Sequence, residues 1–314
     1  MTKIALLFPG QGSQSIGMGK ELAANYEVAR AIFDQADEAL GFSLKDLVFD
    51  GTEEELKRTE NTQPALLTTS TAIWEVLKEK GIKAHYAAGH SLGEYSALVA
   101  ADSLSFGDAV RAVRRRGQLM EEAVPSGQGS MAAVLGMERE DVDRITKEVA
   151  EVAGDVQPAN YNCPGQIVIS GSKEGVEKAS EALREAGAKR VLPLNVSGPF
   201  HSSLMKPAAE KMKETLDGLT ISQPAIDVIA NVTAAKVTSG EDVSRLLYEQ
   251  IYSPVLWEDT VRKLVEDEVD VFIEVGPGKV LSGLVKKVNR RAKVLPVYDE
   301  ETLEKALSTL KEGK

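Results

Sequence analysis

The pentapeptide Gly89-His90-Ser91-Leu92-Gly93 constrains this chain more than any other segment. A short apolar run, Tyr86-Ala87-Ala88, precedes it, and the helix-compatible stretch Glu94 to Ala101 follows. Strand, G-x-S-x-G and helix in succession form the pattern of a nucleophile elbow, a turn so sharp that glycine is needed on both sides of the serine. Such a turn presents the serine hydroxyl at the end of a sheet, beside a helix N-terminus. The expected chemistry is acyl transfer through a serine ester. A plain glycine-bracketed turn would match the same letters, so the assignment depends on what else the chain supplies.

A serine hydroxyl is barely ionised at neutral pH and needs a base. The chain has three histidines, His85, His90 and His201. His90 adjoins the serine, and a neighbour in a sharp turn points elsewhere. His85 begins the strand, at the wrong end of the sheet. His201, in Gly198-Pro199-Phe200-His201, is left as the base by elimination. The oxyanion of an attacked carbonyl requires two backbone N–H donors. One is expected from Leu92, at the helix N-terminus. The other is expected from Gln11, in the glycine-rich loop Pro9-Gly10-Gln11-Gly12-Ser13-Gln14 after the first strand. That loop is not a dinucleotide fingerprint, because Ser15 stands at the third glycine position of G-x-G-x-x-G.

The 314 residues are 43% hydrophobic and 27% charged, enough for a sizeable core in one large or two ordinary domains. A net charge of −11 and 5% aromatics disfavour nucleic acid and anionic membranes. No segment approaches the length needed to span a bilayer. The single cysteine, Cys163, excludes an intrachain disulfide and suits a reducing compartment, so a cytoplasmic protein is expected. One cysteine and three scattered histidines give no metal-type spacing.

Strands are expected over 3–8, 83–88, 225–231, 269–275 and 293–297, alternating with helices over 18–39, 105–124 and 301–311 and with one opening near Gln63-Pro64. That alternation predicts an α/β fold with a mostly parallel sheet covered on both faces. Composition changes at Pro125-Ser126-Gly127-Gln128-Gly129, which reads as a linker. Strand-like, helical, strand-like, strand-like, helical and strand-like segments then follow up to Val196, with a turn at Asn162-Cys163-Pro164-Gly165. The order βαββαβ is the ferredoxin-like arrangement. The expected division is a large subdomain of residues 1–126 and 199–314, interrupted by a ferredoxin-like small subdomain of residues 127–198.

The loop at Pro9–Gln14, the elbow through Glu94-Tyr95-Ser96, Arg116-Gly117, Gly198–His201 and Glu274-Val275-Gly276-Pro277-Gly278 stand in an order that resembles the malonyl-CoA:acyl carrier protein transacylase family. The resemblance covers nearly the whole chain. It implies an α/β-hydrolase-like large subdomain with an inserted ferredoxin-like one. It also implies a ping-pong reaction in which Ser91, with His201 as base, takes malonyl from malonyl-CoA and passes it to the phosphopantetheine thiol of acyl carrier protein. By the same resemblance the backbone carbonyl of Gln250 orients His201, Arg116 anchors the malonyl carboxylate, and Phe200 fills the space of a 2-methyl branch. Gln63 and Asn160 line the pocket. No permanently bound cofactor is implied; malonyl-CoA is a substrate. Read alone, Arg114-Arg115-Arg116 is equally a solvated helix end, where cations suit the dipole.

Carrier proteins of this kind are acidic, and so is this chain, so docking calls for a local basic patch. Lys286, Lys287, Arg290 and Arg291, joined by Lys189 and Arg190, are the candidates. Two rival readings compete. An ordinary serine esterase follows the order Ser, Asp or Glu, then a late His, whereas no histidine follows His201 here. A non-catalytic carrier-binding scaffold would have no need of Ser91, His201 and Arg116 together.

Overall fold

Five consecutive residues, Ile4 to Phe8, are buried. Ile4, Leu6 and Phe8 point into one apolar cluster and Ala5 and Leu7 into another. A strand buried on both faces belongs at the centre of a sheet covered by helices on each side. The computed structural model describes residues 2–125 and 127–312. Ser126, in the expected linker, and Met1, Gly313 and Lys314, at the expected ends of the large subdomain, lie outside the described residues.

In chain order the first elements are β1 (Ile4–Phe8), α1 (Lys20–Asn25), α2 (Glu27–Leu40), α3 (Leu44–Asp50), α4 (Glu53–Lys57), α5 (Thr59–Glu79), β2 (Tyr86–Gly89), α6 (Gly93–Ala100) and α7 (Phe106–Glu122). There follow β3 (Gly129–Leu135), α8 (Arg139–Ala150), β4 (Val156–Cys163), β5 (Gln166–Ser172), α9 (Lys173–Glu185) and β6 (Arg190–Pro193). The chain ends with α10 (Lys206–Asp217), β7 (Asp227–Ile229), α11 (Gly240–Gln250), α12 (Trp257–Glu266), β8 (Val271–Val275), α13 (Val280–Val288), β9 (Lys293–Val297) and α14 (Glu300–Glu312).

The five strands of the large sheet run β7-β2-β1-β8-β9, and every pair is parallel. Their C-terminal ends therefore share one edge, where the loops after β1, β2, β7 and β8 converge. The four remaining strands form an antiparallel sheet, β4-β5-β3-β6, which is the ferredoxin-like order for a βαββαβ unit. Val255, in the segment between α11 and α12, bonds to β4 of this unit. Its N–H donates to the Ala159 carbonyl at 2.8 Å, and its own carbonyl accepts from the Tyr161 N–H at 2.9 Å.

Two expectations need correction. The helix expected over 18–39 is two helices, because Tyr26 adopts extended backbone (φ −122°, ψ 122°) between α1 and α2. The helix expected to open near Pro64 begins at Thr59, which puts the proline inside α5. Pro64 has no N–H to offer the Glu60 carbonyl. Arg114 Nη1 donates to that carbonyl instead, at 3.1 Å, so a side chain from α7 replaces the missing bond.

The elbow is the most crowded point of the large sheet. A Cβ on Gly89 would stand 1.8 Å from the Gly93 carbonyl oxygen, and one on Gly93 would stand 2.1 Å from the Phe8 carbonyl oxygen. Both obstacles are backbone, so neither can step aside. Gly93→Ala is expected to lower stability by about 1–3 kcal/mol through overpacking, read as a lower midpoint in thermal or urea unfolding.

Candidate active site

The turn between β2 and α6 places Ser91 in the left-handed region, φ 52°. For a non-glycine residue this costs of order 1–3 kcal/mol and persists only where the surroundings over-determine it. Asn231, just beyond β7, supplies that restraint. Its Oδ1 accepts the Ser91 N–H at 2.7 Å, and its Nδ2 donates to the Gly89 carbonyl at 2.7 Å. One amide thus grips the turn on both sides of the serine side chain.

His201, also left-handed at φ 56°, enters from the return of the chain out of the small sheet. Its Nε2 lies 2.7 Å from Ser91 Oγ, and its Nδ1 lies 2.8 Å from the Gln250 backbone carbonyl. A carbonyl can only accept, so Nδ1 carries the proton and Nε2 is the free base facing the hydroxyl. His90 turns away, with its Nε2 2.8 Å from Asn162 Oδ1 on β4. His85 sits at the opposite edge, where its Nδ1 accepts the Ile4 N–H at 3.2 Å.

Arg116, on α7, is 1% exposed. Its Nη2 donates to Ser91 Oγ at 3.2 Å and to Gln250 Oε1 at 2.7 Å, and its Nη1 donates to Gln63 Oε1 at 2.8 Å. Its buried Nε has no partner among the described residues. A cation with an idle donor beside the nucleophile is a ready seat for a carboxylate on the acyl group. A cavity of about 130 Å³ opens over this set. Gln11, Gln63, Ser91, Leu92, Arg116, Asn160, Phe200 and His201 all line it. The N–H groups of Gln11 and Leu92 are taken by no other group among the described residues. No three His, Cys, Asp or Glu side chains among the described residues converge where a metal ion could sit.

The chain matches the acyl transferase domain family over residues 5–310. It is 59% identical over 312 residues to the malonyl CoA-acyl carrier protein transacylase of Bacillus subtilis, covering 99% of this chain and 98% of that one. It is 48% identical to the protein of the same name from Haemophilus influenzae, over 95% of this chain and 96% of that one. The chain belongs to the acyl transferase domain family. Among solved structures, the malonyl CoA-acyl carrier protein transacylase of Clostridium perfringens superposes with a TM-score of 0.96 at 45% identity, covering 99% and 98% of the two chains. A malonyl-transacylase in complex with a type II polyketide synthase acyl-carrier protein superposes at 0.95 with 46% identity, covering 98% and 100%.

The electrostatics of this acyl transferase domain follow from burial. Loss of water, then the nearby Arg116 charge, push the His201 pKa down to about 3. His201 is therefore neutral, and able to accept a proton, throughout the range near neutrality. Burial likewise drives the Glu94 carboxyl up to about 7 and the Tyr95 hydroxyl up to about 12.

Of the residues expected from the sequence and from the resemblance, Ser91, His201, Gln11, Leu92, Arg116, Gln63, Asn160 and Phe200 line one cavity, and Gln250 stands behind His201. Sequence reasoning missed Asn231, Glu94 and the Gln250 side chain. Gln250 Nε2 donates to the Ser91 carbonyl at 3.0 Å and to Glu94 Oε2 at 2.7 Å. The available signal was a glutamate opening an otherwise apolar helix and an asparagine closing an apolar strand. Of the candidate basic residues, Lys189 packs over Gly136, whose N–H bonds the Gly165 carbonyl, and Lys287 lies near Cys163 in the same hairpin. Lys286 departs from expectation, because its Nζ donates to the carbonyls of Arg290 and Ala292 and closes the end of α13.

The low His201 pKa has a kinetic and a stability consequence. Acylation of Ser91 in a single turnover should show no His201-dependent fall between pH 6.5 and pH 5; a tenfold loss per unit there would put the base at its ordinary value. The unfolded chain binds the His201 proton below about pH 6.5 and the folded chain only near 3, so this residue withdraws stability as pH falls through that window.

Proposed function

We propose that the protein moves a malonyl group from malonyl-CoA to the phosphopantetheine thiol of acyl carrier protein through a malonyl ester on Ser91, in fatty acid biosynthesis. The observation that carries this reading is the buried Arg116 guanidinium, 3.2 Å from the Ser91 hydroxyl that itself faces a neutral histidine.

Ser91 Oγ attacks the thioester carbonyl and passes its proton to His201 Nε2. The N–H groups of Leu92 and Gln11 hold the oxyanion. As the intermediate collapses, the C–S bond breaks and CoA leaves with the proton from His201. In the second half the carrier thiol gives its proton to His201 and attacks the ester, and Ser91 recovers its proton. The Gln250 carbonyl keeps His201 in the right tautomer through both halves. Every step is supplied by side chains and backbone of this chain, so the reaction calls for no bound cofactor.

Arg116 pairs with the distal carboxylate, which an acetyl group lacks. Gln63 and Gln250 hold the guanidinium in place, Asn160 completes the wall, and Phe200 occupies the space beside the acyl α-carbon. Lys287, Arg290, Arg291 and Arg190, with Lys189 beside them, form the face for an acidic carrier. We divide the chain into a large α/β-hydrolase-like subdomain, 1–126 and 199–314, and a ferredoxin-like subdomain, 127–198, with the site between them. A cytoplasmic location fits the single cysteine.

Intact mass after malonyl-CoA exposure should show one malonyl adduct, absent in Ser91→Ala and discharged by holo carrier protein. Rapid free malonate without a carrier would instead mark a hydrolase. Loading by His201→Ala should fall by about 10²–10⁴. Arg116→Ala should invert the preference, with malonyl loading lost and acetyl loading retained or raised. Unaltered acyl selectivity would remove the anchor role. Lys287→Glu with Arg290→Glu should raise the KM for the carrier and leave malonyl loading from CoA intact.

A further inference from the structure

Among the described residues two carboxylates are buried, Glu94 and Glu274. Glu274 is accounted for: it accepts the N–H groups of Leu281 and Ser282 and the Ser282 hydroxyl at the start of α13. Glu94 is bound differently, toward the active site. It lies in the first turn of α6, where its Oε2 accepts the Asn231 N–H at 3.2 Å and Gln250 Nε2 at 2.7 Å. The other end of that same amide, Oε1, accepts Arg116 Nη2 at 2.7 Å. With two acceptors on its nitrogen side, the amide cannot flip without setting oxygen against oxygen. Carboxylate, amide and guanidinium therefore form a fixed line that ends beside Ser91.

We propose that Glu94 is the counter-charge of Arg116, linked to it through the Gln250 amide, and that it takes up a proton when a carboxylated acyl group is seated on Ser91. Glu94 is thus a positioning residue for the anchor rather than a group that touches the acyl chain. The inference rests on the malonyl-ester reading above. The unloaded pocket holds one buried cation and one buried anion. A malonyl carboxylate adds a second anion and claims the idle Arg116 Nε. A like charge nearby, together with loss of the guanidinium's free field, disfavours the ionised form of Glu94. Burial already brings Glu94 close to neutrality, and Arg116 is among the groups that oppose this shift. An acetyl group changes neither charge and should bring no proton.

The other groups around α6 leave this balance alone. His201 and His90 are held neutral by burial, and so is the Tyr95 hydroxyl. β1 carries no titratable side chain, and Tyr86 of β2 belongs to the apolar cluster on the opposite face. On α5 and α7, Glu60 pairs with Arg58 and Arg114, Glu75 with Lys78, and Asp108 with Arg111. Glu79, Arg115, Glu121 and Glu122 are exposed. The acyl step itself is proton-neutral, since the serine proton leaves on CoA, whose thiol stays protonated below a pKa of about 8.5.

The test is proton uptake in a weakly buffered solution with a pH indicator, during a single turnover of the wild-type protein with malonyl-CoA or acetyl-CoA at pH 7. Uptake of roughly half a proton per malonyl loaded, and none per acetyl, is expected for a group near half ionisation. Glu94→Gln should load malonyl without uptake. In wild type the ratio of malonyl to acetyl loading should fall about tenfold from pH 6 to pH 9 for each unit by which malonyl raises Glu94, and in Glu94→Gln that slope should vanish. Equal uptake with both thioesters, or uptake that survives Glu94→Gln, overturns the inference. The two-thioester comparison needs no variant, so it decides the matter even if Glu94→Gln does not fold. A wild-type protein that forms no malonyl adduct by mass overturns the transferase reading itself, and this inference with it.

Discussion

Everything at this site depends on a backbone collision avoided. β1 and the start of α6 approach so closely that only hydrogen fits on the Gly93 α-carbon, and the turn doubles back so tightly that the same holds at Gly89. That crowding forces Ser91 into the left-handed region and aims its hydroxyl out of the sheet edge. Without the parallel sheet the strain would relax. In the left-handed conformation the hydroxyl stands 2.7 Å from His201 Nε2. Asn231 locks the arrangement, and it can do so because β7 runs parallel beside β2 and ends at the same edge.

The neutral partner of His201 fits the proposed substrate. On the proposed reading, Arg116 receives a carboxylate beside the nucleophile, through the Nε that is left without a partner among the described residues. A carboxylate behind His201, the usual partner in serine hydrolases, would lie in the same dry pocket and compete for that guanidinium. The Gln250 carbonyl sets the tautomer without adding charge, and the Gln250 side chain steadies Arg116 at the same time. One residue on one helix therefore couples His201 to Arg116. The Glu94 carboxyl lies one amide further away, joined to Arg116 through the Gln250 side chain.

Much of this was legible in the sequence because it is written in short local patterns. The elbow needs adjacent glycines, the βαββαβ order needs only alternating segments, and three histidines leave little choice of base. Arg116 read by itself was ambiguous, since a helix end rich in arginine is ordinary; the resemblance singled it out, and the structure adds that it is buried. What stayed hidden depends on partners far apart in the chain. Pro64 marks a helix start in isolation, and only the arrival of Arg114 at the Glu60 carbonyl lets α5 begin at Thr59. Asn231 and Ser91 are 140 positions apart. Lys286 looked like one more surface cation until the carbonyls of Arg290 and Ala292 claimed it.

The inserted unit has a chemical reason as well as a structural one. A transferase must let a thiol reach its acyl-enzyme while giving water little room. The small sheet supplies Met131 and Asn160, and the chain leaving it supplies Leu194 and Val196, to a cavity of about 130 Å³. The unit is held in register by Val255 against β4 and by His90 against Asn162, so the roof is tied to the residue beside the nucleophile. A shift of the roof would therefore be felt at the elbow. The wall of the pocket and the alignment of the serine are, in this fold, consequences of the same contacts.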